Sequence, residues 1–165
     1  TALSEKVRVF RVGGASRAET VRNGVSTLLK QGLAEAKDNI LVHDAARCCL
    51  PAEALTRLLD EAGENDEGGI LAIPVADTLK RSDGSHHIDE TVARAGLWQA
   101  QTPQLFQTAL LHRALSVDDL SEITDEASAI EKLGIRPRLV QGDTRNLKLT
   151  LPQDEYIVRL LLKAV

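Results

Sequence analysis

The chain has 165 residues, a formal net charge of −4 from 20 Lys and Arg against 24 Asp and Glu, and a 43% hydrophobic share. That size favours one domain with a core able to bury about 70% of the unfolded surface. The acidic balance argues against a general nucleic-acid binder, which would show a basic face, and the longest uncharged apolar run, residues 68–76, falls short of the ~20 residues that span a bilayer.

Strand-like apolar runs alternate with helical patterns, which predicts an α/β fold with a largely parallel sheet. Val7 to Val12 reads as a strand followed by Gly13-Gly14. Val21, Val25, Leu28 and Leu29 share one face of a helix over 17–33. Asn39 to His43 reads as a short strand. Leu55, Leu58, Leu59 and Ala62 mark a helix ending near Gly63, and Gly69 to Val75 a buried strand. Residues 77–96 are polar and carry Asp83-Gly84 in their middle, a hairpin signal that predicts a protruding arm. Trp98 to Gln101 resumes the sheet. Helices are expected over 106–115 and over 125–133, the second with Gly134 just past its end. Arg138 to Gln141 and Leu147 to Leu149 read as strands. Thr150 to Gln153 reads as a capping box opening a final helix with Ile157, Leu160, Leu161 and Val165 on its apolar face.

Cys48 and Cys49 are neighbours and are expected as reduced thiols, in keeping with a cytoplasmic setting. Neither a dinucleotide fingerprint, a P-loop nor a hydrolase elbow occurs. No methionine is present, so the Thr1 start is expected to reflect processing or a piece of a longer chain.

The segment Leu41 to Arg47 carries the most chemistry. An apolar strand ends in Asp44, two small residues and Arg47, and ligands of open α/β sheets bind at the carboxyl ends of strands. Asp44 can hold a metal or a ribose hydroxyl. Arg47 can fork onto a phosphate. Lys148 alternates with Leu147 and Leu149 and so faces away from them, either into solvent or onto a second anion. Thr124 offers a hydroxyl at a helix start.

In chain order, LVHDAAR (41–47), GGILAIPVADTLK (68–80), TVARAGLWQAQTPQLF (91–106), ITDEASAIEKLG (123–134) and NLKLTLPQD (146–154) resemble the 2-C-methyl-D-erythritol 4-phosphate cytidylyltransferases. The resemblance runs from about Val12 to the last helix. It implies a Rossmann-like nucleotidyltransferase, a three-layer sandwich of one domain over 1–165, whose arm at 77–96 is exchanged within a homodimer. It implies joining of CTP to methylerythritol phosphate with Mg²⁺ bound and pyrophosphate leaving, in a bacterial cytoplasm, with no nucleic-acid or membrane partner. By the same resemblance Gly14 and Thr20 contact the cytosine, Asp44 and Ala45 lie by the ribose and the incoming substrate, and Asp44 approaches the metal. Arg47, Thr102 and Thr124 match the sugar-phosphate pocket, with Thr78 from the arm. Arg94 and Lys148 match the pair that positions the attacking phosphate. Ala15 and Ala93 stand where some members carry Asp. Nothing in the sequence matches the family's first strand and glycine-rich triphosphate loop, so these residues by themselves are expected to be incomplete for activity. Two other readings stay open: a cytidylyltransferase for another polyol phosphate such as ribitol 5-phosphate, and a truncated, non-catalytic dimerising or binding module.

Overall fold

The computed structural model describes residues 6–163. Eleven elements follow one another: α1 (Arg17–Lys30), β1 (Asn39–Val42), α2 (Ala52–Ala62), β2 (Gly69–Pro74), β3 (Leu79–Ser82), β4 (Ile88–Val92), β5 (Trp98–Gln107), α3 (Thr108–Leu115), α4 (Glu126–Glu131), β6 (Arg138–Gln141) and α5 (Asp154–Lys163). The main sheet has the order β1-β5-β2-β6, and β3 and β4 form a separate two-stranded ribbon.

Three layers result from strand alternation. Side chains of successive strand residues point to opposite faces. Ile70 and Phe106 pack on one face with Val25 of α1, Leu111 and Leu115 of α3 and Ile130 of α4. Leu71, Leu105 and Val140 pack on the other with Ala54, Leu58 and Ala62 of α2. The sheet is thus covered on both sides, as expected of a Rossmann-like sandwich.

β2 pairs parallel with β6, while β5 runs antiparallel to both β1 and β2. Hence β1, β2 and β6 share one direction and β5 is reversed between them. Strand β5 is also longer than the sequence predicts. It continues through Leu105, Phe106 and Gln107, which pair with Leu41, Ile40 and Asn39, and α3 begins only at Thr108. The buried middle of β5 is polar, with Gln101, Thr102 and Gln104, and carries Pro103, so neither an apolar run nor a period-2 alternation marks it as strand. Gly68 adopts φ +70, and a Cβ there would meet the Phe106 ring and the Leu105 carbonyl, so glycine is needed where the chain enters β2.

Several expected elements differ. Val7 to Val12 forms no strand; Val7 and Val9 are exposed and no ladder partner lies beside them among the described residues. Leu147 to Leu149 is irregular, held by one bond from Leu149 N–H to the Ala46 carbonyl (2.9 Å) rather than by a ladder. Helix α1 stops at Lys30, just ahead of Gly32 at φ +65. The last helix starts at Asp154, not Thr150. The Asp154 carboxylate accepts from the Thr150 and Leu151 N–H groups (2.9 and 2.7 Å), an ionised acceptor displacing the expected threonine and glutamine cap. On α5 the buried residue is Val158, whereas Ile157 and Leu160 are half exposed; Val165 lies outside the described residues.

The arm forms as the Asp-Gly signal predicts. Its loop spans residues 83–87, with Gly84 at φ +88. Asp83 closes it by accepting from Ser85 N–H (2.7 Å) and Ser85 Oγ (2.8 Å). Apart from Leu79 and Val92, the strand residues of the ribbon are exposed.

Candidate active site

A cavity of about 210 Å³ opens beyond the carboxyl end of β1, beside residues 100–104 in the middle of β5. It is lined by Arg17, Asp44, Arg47, Thr102, Thr124 and Lys148, among others. A second cavity of about 460 Å³ shares Arg47 and Lys148 with it. Five residues singled out in the sequence therefore converge, from segments as far apart as residues 44 and 148.

Each is fixed by a local reason. Asp44 follows the last residues of β1, and its N–H donates to Thr102 Oγ1 of β5 (2.9 Å). The neighbouring turn closes through Arg47 N–H to the Asp44 carbonyl (2.9 Å). Arg47 Nη1 donates to the Asn146 carbonyl (2.6 Å), and buried Asn146 donates through Nδ2 to the Thr102 carbonyl (2.8 Å). These bonds tie the loop before Lys148 to the middle of β5. Thr124 precedes α4, whose N-cap Asp125 forms a capping box with Ser128. Gln104 of β5 donates to Asp125 Oδ2 (2.9 Å) and accepts from Ala127 N–H (2.9 Å), which holds α4 against the sheet.

The charges form one connected chain. Lys148 Nζ lies 3.0 Å from Asp44 Oδ2, and Arg17 Nε lies 3.0 Å from Asp44 Oδ1. Arg17 in turn grips both oxygens of Glu126, at 2.7 and 3.0 Å. Burial works against ionisation of Asp44, but the hydrogen bonds and charges of Lys148 and Arg17 outweigh it, and its carboxyl sits below the ordinary carboxylate value. Burial also opposes the Arg17 charge, yet Glu126 and Asp44 more than compensate and raise its pKa. Desolvation lowers the Arg47 guanidinium, with Asp44 opposing. Arg47 Nε is buried without a hydrogen-bond partner among the described residues, a costly state for a charged donor unless an anion completes it.

Other expected residues lie elsewhere. Gly14 N–H donates to Thr20 Oγ1 (3.0 Å), which itself donates to the Ser16 carbonyl (3.0 Å). Both belong to the entry of α1, outside the cavity lining. Ala45 is exposed in the turn after Asp44. Thr78 and Arg94 are exposed at the two feet of the arm and do not line this chain's own cavity. Conversely, Arg17, Gln104, Asp125 and Glu126 belong to the site or its frame and escape sequence reading. Glu126 is especially hidden: it lies within the TDEAS motif but reads there as a first-turn helix acid.

The chain matches the 2-C-methyl-D-erythritol 4-phosphate cytidylyltransferase (IspD) family over residues 2–164. It belongs to that family. A 2-C-methyl-D-erythritol 4-phosphate cytidylyltransferase of Neisseria gonorrhoeae (strain NCCP11945) is 71% identical over 160 residues, covering 97% of this chain and 69% of that protein. That of Thiobacillus denitrificans is 52% identical over 162 residues, covering 96% of this chain and 68% of that protein. Among solved structures, a 4-diphosphocytidyl-2C-methyl-D-erythritol synthase superposes with a TM-score of 0.90 at 70% identity, over 94% of this chain and 72% of that one. The Francisella tularensis family member gives 0.81 at 31% identity, over 90% and 69%. No helix among the described residues is long and apolar enough to cross a membrane.

Proposed function

We propose that this protein joins CTP to 2-C-methyl-D-erythritol 4-phosphate, forming the CDP-linked methylerythritol and releasing pyrophosphate. The observation that carries this reading is the convergence of Asp44, Arg47, Thr102, Thr124 and Lys148 on one cavity, in a chain of this family. A phosphate oxygen of the sugar phosphate forms a bond to the α-phosphorus of CTP while the bond to pyrophosphate breaks. Such a transfer needs two anions held in line and their charge neutralised, not a covalent nucleophile. Arg47 and Lys148 supply cations where the two cavities meet, and the unpartnered Arg47 Nε favours an incoming phosphate oxygen. Thr102 and Thr124 add hydroxyls to the lining.

Among the described residues no group of three or more His, Cys, Asp or Glu is placed to hold a metal ion. Mg²⁺ is commonly held by one or two carboxylates together with substrate phosphates, and the ionised Asp44 fits that requirement. Asp44 would hold the ion, which would neutralise charge on the phosphates.

The exposed arm is proposed to act in a homodimer, with Thr78 and Arg94 reaching the partner's cavity and Arg94 sharing the attacking phosphate with Lys148. The nucleoside is placed by this reading near Gly14, Thr20 and Ala45. Two assays test it. Full-length protein is incubated with CTP, Mg²⁺ and either methylerythritol 4-phosphate or ribitol 5-phosphate, and pyrophosphate release is followed. Preference for the methylerythritol substrate is expected; preference for ribitol phosphate, or release with neither, would overturn the reading.

A further inference from the structure

Arg17 stands at the centre of a relay of four side chains. One end is closed: Glu126 is 1% exposed, and both its oxygens accept from Arg17, Oε1 from Nη1 at 2.7 Å and Oε2 from Nη2 at 3.0 Å. The remaining edge of the guanidinium donates from Nε to Asp44 Oδ1 at 3.0 Å. Asp44 Oδ2 then meets Lys148 Nζ at 3.0 Å, and that lysine side chain is 46% exposed. The relay therefore runs from a sealed anchor to an open, flexible cation at the cavity.

A planar guanidinium fork holds two carboxylates at a fixed mutual angle, which an ammonium cannot do. The main chain of Asp44 is already fixed by Thr102; its carboxylate direction depends on Arg17. Lysine by contrast has a long stem with several rotatable bonds, and Asp44 is the ion-pair partner that gives Lys148 a direction here.

We propose that Arg17, clamped by buried Glu126, is a positioning residue that orients Asp44 and, through it, aims Lys148 into the substrate cavity. The proposal rests on the reaction assigned above. It adds a residue from α1 and an anchor from α4 to the working parts of the site.

The test uses the full-length protein. Arg17→Lys keeps the charge but loses the fork. Its kcat is expected to fall on the order of 10²-fold, the scale of a small misplacement of reacting groups, with KM for either substrate little changed. Because a lone Glu126 left in the interior destabilises the fold, the double variant Arg17→Met/Glu126→Leu removes the buried carboxylate and its part-buried partner together. Apolar replacement of a buried ion pair is often neutral for stability, so its unfolding midpoint should stay near the parent's while kcat remains low. Millimolar guanidinium ion should restore kcat saturably to Arg17→Ala and leave Lys148→Ala unaffected. A double variant with parental kcat, or an Arg17→Ala protein that keeps a cooperative unfolding transition yet ignores guanidinium, would overturn the proposal. Should the parent turn over neither sugar phosphate, the assigned reaction fails instead. The Lys148 ammonium resonance then decides: protection from exchange in the parent and its loss in Arg17→Lys supports the relay, and an unchanged resonance refutes it.

Discussion

The cavity and the arm are built on opposite terms. Around the cavity, polar side chains are buried and mostly partnered, with Arg47 Nε and Asn146 Oδ1 the exceptions among the described residues: Gln101, Thr102, Gln104, Glu126 and Asn146 are all buried, and hydrogen bonds join β1, β5, α4 and the loop before Lys148. On the arm, β3 and β4 bond to each other, and their side chains face outward. Even the short Arg81–Glu90 contact (2.6 Å) joins two mostly exposed groups, and such surface pairs are worth only about 0–1 kcal/mol. The difference teaches where precision is needed. Groups that must point at one atom are locked by a buried frame. A ribbon meant to reach outward needs only its own ladder until something covers it.

Substitutions sharpen that contrast, and the largest loss of stability is expected in the sheet. Phe106→Ala removes a fully buried ring between β5 and the α1, α3 and α4 layer, and should cost about 3–5 kcal/mol in denaturant unfolding. Lys148→Ala should cut kcat on the order of 10²-fold or more with only a small stability loss, limited to its ion pair with Asp44, because this half-exposed side chain contributes aim rather than packing. An equal stability loss in both variants would erase the distinction between frame and working group.

Asp44 predicts a smaller, pH-dependent effect. Its folded carboxyl titrates below its unfolded value, held there by Lys148 and Arg17. Its contribution to stability is therefore present above the unfolded value of about 3.9 and disappears as the pH falls through the folded one. Unfolding free energies of the parent and Asp44→Asn should differ near neutrality and converge on acidification; a gap that widens in acid contradicts the ion-pair assignment. Least of all is expected on the arm. Ile88→Ala, at a side chain already 67% exposed, should stay within about 0.5 kcal/mol of the parent in a monomer. A larger, concentration-dependent loss would mean that a partner covers it.

The arm and most helices are legible in the sequence because their signals are local: a turn dipeptide, a 3.6-residue period, glycine after a helix. Thr102 is reached only through the family resemblance, but Asp44, Arg47 and Lys148 announce themselves, since charges and small residues interrupt apolar runs, and Thr124 does so at a helix start. Three features do not. The reversal of β5 depends on which strands become neighbours, not on its composition. The absence of strands at Val7–Val12 and Leu147–Leu149 depends on ladder partners, which no apolar run reveals by itself. The Arg17–Glu126 clamp joins residues 109 positions apart, and nothing in the spacing of either residue marks the other as its partner.

In the proposed dimer, each working site combines the cavity of one subunit with the arm of the other. Mixing subunits tests it most directly. Arg94→Ala and Lys148→Ala proteins, each nearly inactive, are unfolded and refolded together. In a symmetric arm-exchanged dimer half the particles are mixed, and each mixed particle holds one site with both residues intact, so about a quarter of parental turnover should return. Activity that stays at the sum of the two variants would show that Arg94 serves its own chain's cavity or none, and would contradict the account.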